Sequence, residues 1–230
     1  MIENLPNLDP VLGPPLRVGI AGYGIVGRKR ARYIDEHPAF QIVGICDRAF
    51  PKDLERLPGV EYFSNFLELL NCSLDVVFVC LSNDVAAKAT TAFLENRIHV
   101  FCEKPPARNL SELLPVLATE KKAKGVKLKY GFNHRYHQSV RESLDIISSG
   151  QMGKVINIRG VYGKSNLITF DQTDWRTKYE IAGGGILLDQ GIHMVDLLRL
   201  FGGDYSKVYS FISNEYWKYD VEDNAYALMK

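Results

Sequence analysis

Three glycines, Gly22, Gly24 and Gly27, follow directly on the apolar run Leu16 to Ala21 and open a helix-like segment, Ile25 to Glu36. That spacing, set between a strand and a helix, leaves few folds open to the chain. The first glycine permits a tight turn, the second lets backbone approach a pyrophosphate, and the third lets helix and strand pack closely. Backbone amides at the helix start then face the phosphates, and Tyr23, Ile25 and Val26 belong to the same loop. Asp47 stands 20 residues beyond Gly27, at the end of the second strand-like run. An acid there accepts hydrogen bonds from ribose hydroxyls and repels a 2′-phosphate, which favours NAD as cofactor. The adjacent Arg48 can pair with that phosphate and keeps NADP possible. The bland alternative is an ordinary tight turn beside a solvated acid.

Strand-like and helix-like segments alternate through the first 130 or so residues, the pattern of βαβ units. The predicted strands are Leu16 to Ala21, Phe40 to Cys46, Val60 to Phe63, Val76 to Leu81, His99 to Cys102 and Lys127 to Phe132. Most are continuously apolar, as strands covered on both faces should be. Helices are expected at Ile25 to Glu36, Ser64 to Leu70, Val85 to Asn96 and Asn109 to Lys124. From about Gly131 the pattern changes to a helix (Gln138 to Ser148), a strand (Lys154 to Tyr162), a polar loop, a helix (Gly185 to Phe201) and two strands, Lys207 to Ile212 and Asn224 to Met229. The expected fold is α/β: a doubly wound parallel sheet of the Rossmann type over residues 1–131, which binds the cofactor. A second, α+β domain with a mixed or antiparallel sheet follows over residues 132–230 and holds the substrate. The last strand ends the chain without a turn, so the second domain reads as incomplete.

Twenty-eight basic and 27 acidic residues are interspersed, for a net charge of +1. This gives no electrostatic footprint for nucleic acid or an anionic membrane, and the expected partner is a small molecule. Cys46, Cys72, Cys80 and Cys102 form no C-x-x-C pair and read as small core residues in a reducing compartment. The proline-rich start lacks a basic leader and no run reaches transmembrane length, so a cytoplasmic location is expected.

Two segments carry chemistry. His99 to Pro105 (HVFCEKP) is a strand emptying into a Pro-Pro turn, which puts Glu103 and Lys104 at the carboxyl end of a parallel strand, where such sheets bind ligands. Lys104 could polarise a substrate oxygen there, or lie on the surface capped by Glu103. After Gly183-Gly184-Gly185, the residues Asp189, His193 and Asp196 fall at i, i+4 and i+7 and share one helix face. A histidine so placed can act as general base, with a neighbouring carboxylate holding its tautomer; the competing reading is a solvated polar face. No further His or Cys completes a metal site. Leu81-Ser82-Asn83 can contact the cofactor or cap a helix, and Trp175-Arg176 can close over nicotinamide or substrate or serve as loop packing. Asn133 and Arg135, at the end of the next strand, are expected to face the same crevice and bind substrate.

AGYGIVG, the acid in ICD, CLSN, FCEKP, GFNHRY, DWR and GGGILLDQGIHMVD follow one another in the order found in the glucose-fructose oxidoreductase / inositol dehydrogenase / rhizopine catabolism family, and the chain resembles that family from Arg17 to its last residue. The resemblance implies an NAD(P)-dependent oxidoreductase acting on a sugar, cyclic polyol or sugar nucleotide. It implies Lys104, Asp189 and His193 as the catalytic set, with Glu103, Trp175 and Arg176 near the nicotinamide ribose or the substrate. It also implies a homodimer or homotetramer packed through the second-domain sheet. The DWR to GGGILLDQGIHM stretch looks most like sugar-nucleotide dehydrogenases. The runner-up readings are a non-catalytic NAD(P)-binding sensor on the same scaffold and an inactive cofactor-binding fragment.

Overall fold

A computed structural model describes residues 13–163 and 174–230; the predicted polar loop near Lys164 to Thr173 and most of the proline-rich start lie outside them. By its internal contacts the chain divides into two units. The first comprises residues up to Leu81, Val85–Glu103 and Ser111–Lys129, and the second Ser82–Asp84, Lys104–Leu110 and Tyr130–Lys230.

The first unit is built on β1 (Leu16–Ala21), β2 (Phe40–Cys46), β3 (Glu61–Phe63), β4 (Val76–Val79), β5 (His99–Cys102) and β6 (Leu128–Tyr130), in the order β3-β2-β1-β4-β5-β6. β1 pairs in parallel with both β2 and β4, β2 with β3, and β4 with β5. The strand order reverses at β1, the arrangement of a doubly wound dinucleotide fold. The helices α1 (Ile25–Asp35), α2 (Asn83–Glu95) and α3 (Leu110–Lys122) lie between strands in sequence, as parallel crossovers require. Val18, Ile20, Ile45, Val77, Val79 and Phe93 are fully buried, which accounts for the near-continuous apolar runs. Residues 66–72 form a 3-10 helix in place of an α-helix. Asn65 caps it, and its Glu68 reaches back to the Asn65 backbone N–H in a capping box.

In the second unit α4 (Gln138–Ser148) is followed by a short α5 (Tyr179–Ala182), then by a π-helical turn at Leu187–Gly191 that continues into α6 (Ile192–Gly202). β7 (Val208–Ser213) and β8 (Asn224–Met229) form an antiparallel pair. The strand predicted at Lys154 to Tyr162 is a correction: residues 154–162 join no ladder. Alternation alone does not make a strand; it needs a neighbour for its backbone groups, and the described residues provide none. Phe211, Tyr226 and Leu228 stay exposed on the hairpin. Among the described residues no helix is long and apolar enough to cross a membrane.

All four cysteines are free thiols. Burial, followed by the nearby carboxylates, pushes the Cys46 thiol up to about 12, and burial does the same to Cys102. Cys46 and Cys102 are inert core residues at neutral pH.

Phe93 is the largest of the fully buried side chains. Replacing it with alanine is expected to cost the first unit about 3 to 5 kcal/mol, because the void cannot fully collapse. Urea titration of the purified variant should show that loss as an earlier unfolding midpoint with unchanged slope.

Candidate active site

In the first unit the turn between β1 and α1 divides its three glycines by role. Gly22 has φ +96°, and a Cβ there would lie 2.4 Å from the Cys80 carbonyl oxygen. At Gly27 a Cβ would lie 1.9 Å from the Gly22 carbonyl oxygen, so helix and turn meet only because it is glycine. Around Gly24 a Cβ would meet nothing within 4 Å. The open side of the turn is therefore at the middle glycine, where a pyrophosphate approaches in this motif. Asp47 is tied to the same loop: its carboxylate accepts from the Tyr23 N–H at 2.6 Å and from the Ala49 N–H at 3.0 Å. Its remaining lone pairs can still take ribose hydroxyls. Arg48 and Ile25 are exposed.

Glu103, at the end of β5, does not cap Lys104. It pairs with the Arg30 guanidinium at 2.7 and 2.5 Å, and that guanidinium also lies 4.8 Å from the centre of the Phe101 ring. Lys104 belongs instead to the second unit. Its ammonium donates to the Asp189 backbone carbonyl at 2.5 Å and to the Asp189 carboxylate at 3.0 Å. The two side chains are only 17% and 20% exposed. An ammonium has three N–H donors, so one remains for a ligand oxygen.

His193, one turn beyond, is 5% exposed, and its Nδ1 is buried without a hydrogen-bond partner among the described residues. Among the described residues no carboxylate bonds the His193 Nδ1 to hold its tautomer. The Asp189 carboxylate is engaged by Lys104 and by the Gln190 side-chain amide at 2.6 Å. Leu187–Gly191 is a π turn, whose hydrogen bonds run from i to i+5, so the step from Asp189 to His193 does not follow the regular α-helical spacing of the expected acid-His-acid face. Burial, then the neighbouring His134 and Lys104, push the His193 imidazole down to about 4; Asp189 and Asp196 pull the other way and lose. Burial alone would raise Asp189, but the Lys104 ammonium, with help from Gln190 and Arg176, holds its carboxyl below the ordinary value. The arrangement is a neutral, water-poor base beside a cation with a spare donor.

Several of the other predicted residues have structural partners. Arg135 forms a two-pronged pair with Asp196 at 2.7 and 2.5 Å, while Asn133 is exposed on the 3-10 turn Asn133–Tyr136. The Asn83 amide is buried and donates to the Ala182 carbonyl at 2.7 Å; Ser82 donates to Asp84. Arg176 stacks over Trp175 at 4.5 Å and pairs with Asp174. Sequence reasoning did not single out His134. Its ring stacks on His193 with centroids 4.0 Å apart and planes 16° off parallel, and it also lies 5.1 Å from His137 and 5.8 Å from Tyr162. The available signal was its place inside GFNHRY, beside two residues already chosen.

Residues 16–132 match the family described as "Oxidoreductase family, NAD-binding Rossmann fold", and residues 140–230 match the "GFO/IDH/MocA C-terminal domain". The chain belongs to the GFO/IDH/MocA oxidoreductase family. It is 31% identical over 189 residues to D-glucoside 3-dehydrogenase of Escherichia coli, covering 79% of this chain and 52% of that protein. To Myo-inositol 2-dehydrogenase of Thermotoga maritima it is 28% identical over 193 residues, covering 82% and 55%. The WlbA dehydrogenase from Bordetella pertussis, solved with NADH and UDP-GlcNAcA, has a TM-score of 0.81 at 21% identity, covering 96% of this chain and 65% of that one; this is a likeness of fold. The chain spans about half the length of the curated relatives it matches.

The first unit is thus the NAD-binding Rossmann domain of a GFO/IDH/MocA protein, and the clear space over Gly24 with Asp47 anchored beside it fits a dinucleotide. The two outer glycines of this GFO/IDH/MocA loop serve packing, and the middle one faces open space. Gly27→Ala should therefore lower the melting temperature sharply, whereas Gly24→Ala should melt normally and bind NADH at least about tenfold more weakly, as a misplaced methyl against a phosphate predicts. Thermal melts and a fluorescence titration with NADH distinguish the two.

Proposed function

We propose that this protein is an NAD(P)-dependent oxidoreductase that moves a hydride between the nicotinamide and a secondary alcohol carbon of a sugar, cyclic polyol or sugar nucleotide. The observation that carries the reading is a buried histidine one turn from Asp189, which holds a lysine with a spare donor. In the oxidising direction the substrate hydroxyl loses its proton to the His193 imidazole, and the carbinol carbon becomes a carbonyl. The bound nicotinamide supplies the hydride acceptor. Lys104 directs its free N–H at the reacting oxygen and stabilises the negative charge that grows there. Asp189 holds the ammonium in place through both its carboxylate and its backbone carbonyl. In reduction the same groups work in reverse, with His193 returning the proton.

The sugar and polyol class is supported by the names of D-glucoside 3-dehydrogenase and Myo-inositol 2-dehydrogenase. The preference for NAD is supported by Asp47 at the end of β2, and Arg48 beside it leaves NADP within reach.

Lys104→Ala and His193→Ala in the full-length protein are each expected to lower turnover at least a hundredfold, the usual worth of a general base or an oxyanion donor. NADH affinity should change by no more than about twofold, since both residues lie outside the dinucleotide loop. Near-normal turnover in both variants would refute the reading. The pH profile of kcat/KM for alcohol oxidation offers a second check. A base whose pKa is pushed down to about 4 stays neutral through the range where ordinary imidazole charges. The acid limb assigned to His193 should therefore fall near pH 4 and not near 6.5.

A further inference from the structure

Gly185 and Leu187, where the helix carrying Asp189 and His193 begins, both donate their backbone N–H groups to the Glu222 carboxylate, at 2.7 and 3.1 Å. Between them, the Ile186 N–H donates to the backbone carbonyl of Glu222 at 2.9 Å. Three successive amides that a helix start leaves without internal partners thus converge on one residue. The approach requires glycine: a Cβ on Gly185 would lie 2.0 Å from the Glu222 carbonyl oxygen. Part of the triple glycine is explained by this contact and not by ligand binding.

The hydrogen bonds continue toward the reacting groups. The Gly185 carbonyl accepts from the Asp189 N–H at 2.9 Å, and the Asp189 carbonyl accepts from the Lys104 ammonium at 2.5 Å. The Gly185–Ile186 peptide unit thus bonds to the Glu222 backbone carbonyl on one side and to the Asp189 N–H on the other, the Glu222 carboxylate holds the amides on either side of that unit, and Asp189 leads on to Lys104. Next to Glu222, Asp223 accepts from the backbone N–H groups of Glu215, Tyr216 and Trp217 at 2.9, 2.6 and 2.8 Å. The loop that presents Glu222 is itself tied by hydrogen bonds. A carboxylate is the right group for the task because it accepts from two donors at once and its charge suits a helix N-terminus.

We propose that Glu222 is a positioning residue for the reaction: by holding the start of the site helix it fixes Asp189, and through Asp189 the direction of the Lys104 ammonium. The inference rests on the catalytic reading above for its effect on turnover, but not for its effect on Lys104. It is tested with Glu222→Gln and Glu222→Ala in the full-length protein, by kinetics and by the NMR signal of the Lys104 ammonium in lysine-labelled protein, assigned by its loss in Lys104→Arg. In the parent protein that signal should be sharp, because two of its three N–H groups are bonded.

Both Glu222 variants should broaden the Lys104 signal. kcat should fall about tenfold in Glu222→Gln, which keeps the length and one acceptor, and about a hundredfold in Glu222→Ala, the scale of a misplaced catalytic group. KM for NAD should stay within about twofold, since the dinucleotide loop is untouched. An unchanged Lys104 signal in Glu222→Ala would overturn the proposal, as would a loss of turnover matched by loss of NAD binding and of the folded baseline, which would make Glu222 a residue of folding alone. Absence of turnover in the parent protein with every sugar, polyol and sugar nucleotide tried would count against the catalytic reading only, and the Lys104 signal would still decide the role of Glu222.

Discussion

The pairing of Lys104 with Asp189 joins residues 85 positions apart in the chain and governs the electrostatics of everything around it. A partly buried ammonium needs compensation for the water it has lost. Asp189 provides it twice, through its carboxylate and its backbone carbonyl. Glu103, the acid next to Lys104 in sequence, is paired with Arg30 instead.

Burial, more than any neighbouring charge, sets the state of the histidine. Asp189 and Asp196 would favour an imidazolium, but Asp189 is already balanced by Lys104 and Asp196 by the Arg135 fork, so burial and the neighbouring positive groups prevail. The flat stack of His134 on His193 keeps one face of the ring from water. A π turn at Leu187–Gly191 lies within this cluster, and such turns recur at functional sites because they re-aim the residues of an otherwise regular helix. Here it is followed by a regular α6 whose buried residue is His193 itself.

Much of this was legible in the chain. Continuous apolar strands alternating with helical segments led to the parallel sheet, since only strands covered on both faces need such runs. The glycine loop was readable because each glycine answers a local requirement of backbone geometry. Lys104, Asp189 and His193 stood out by residue type and by position at element ends. Less accessible were the partners. That Glu103 turns to Arg30, that Arg135 grips Asp196, and that His134 lies on His193 are matters of which side chains meet across long separations. The strand expected at Lys154 to Tyr162 failed for a related reason, because strand formation is a property of a pair and the period-2 pattern describes one member.

The amino-acid sequence by itself determined the order of elements, the cofactor turn and the identity of the charged groups at the ends of β5 and α6. These depend on interactions within a few residues or on the need to bury an apolar face. Tertiary structure alone decided the protonation state of His193, the partner of Lys104 and the anchoring of the site helix by Glu222. Each depends on the distance and burial of groups far apart in the chain, and the attractions and loss of water that settle them exist only once the chain has folded.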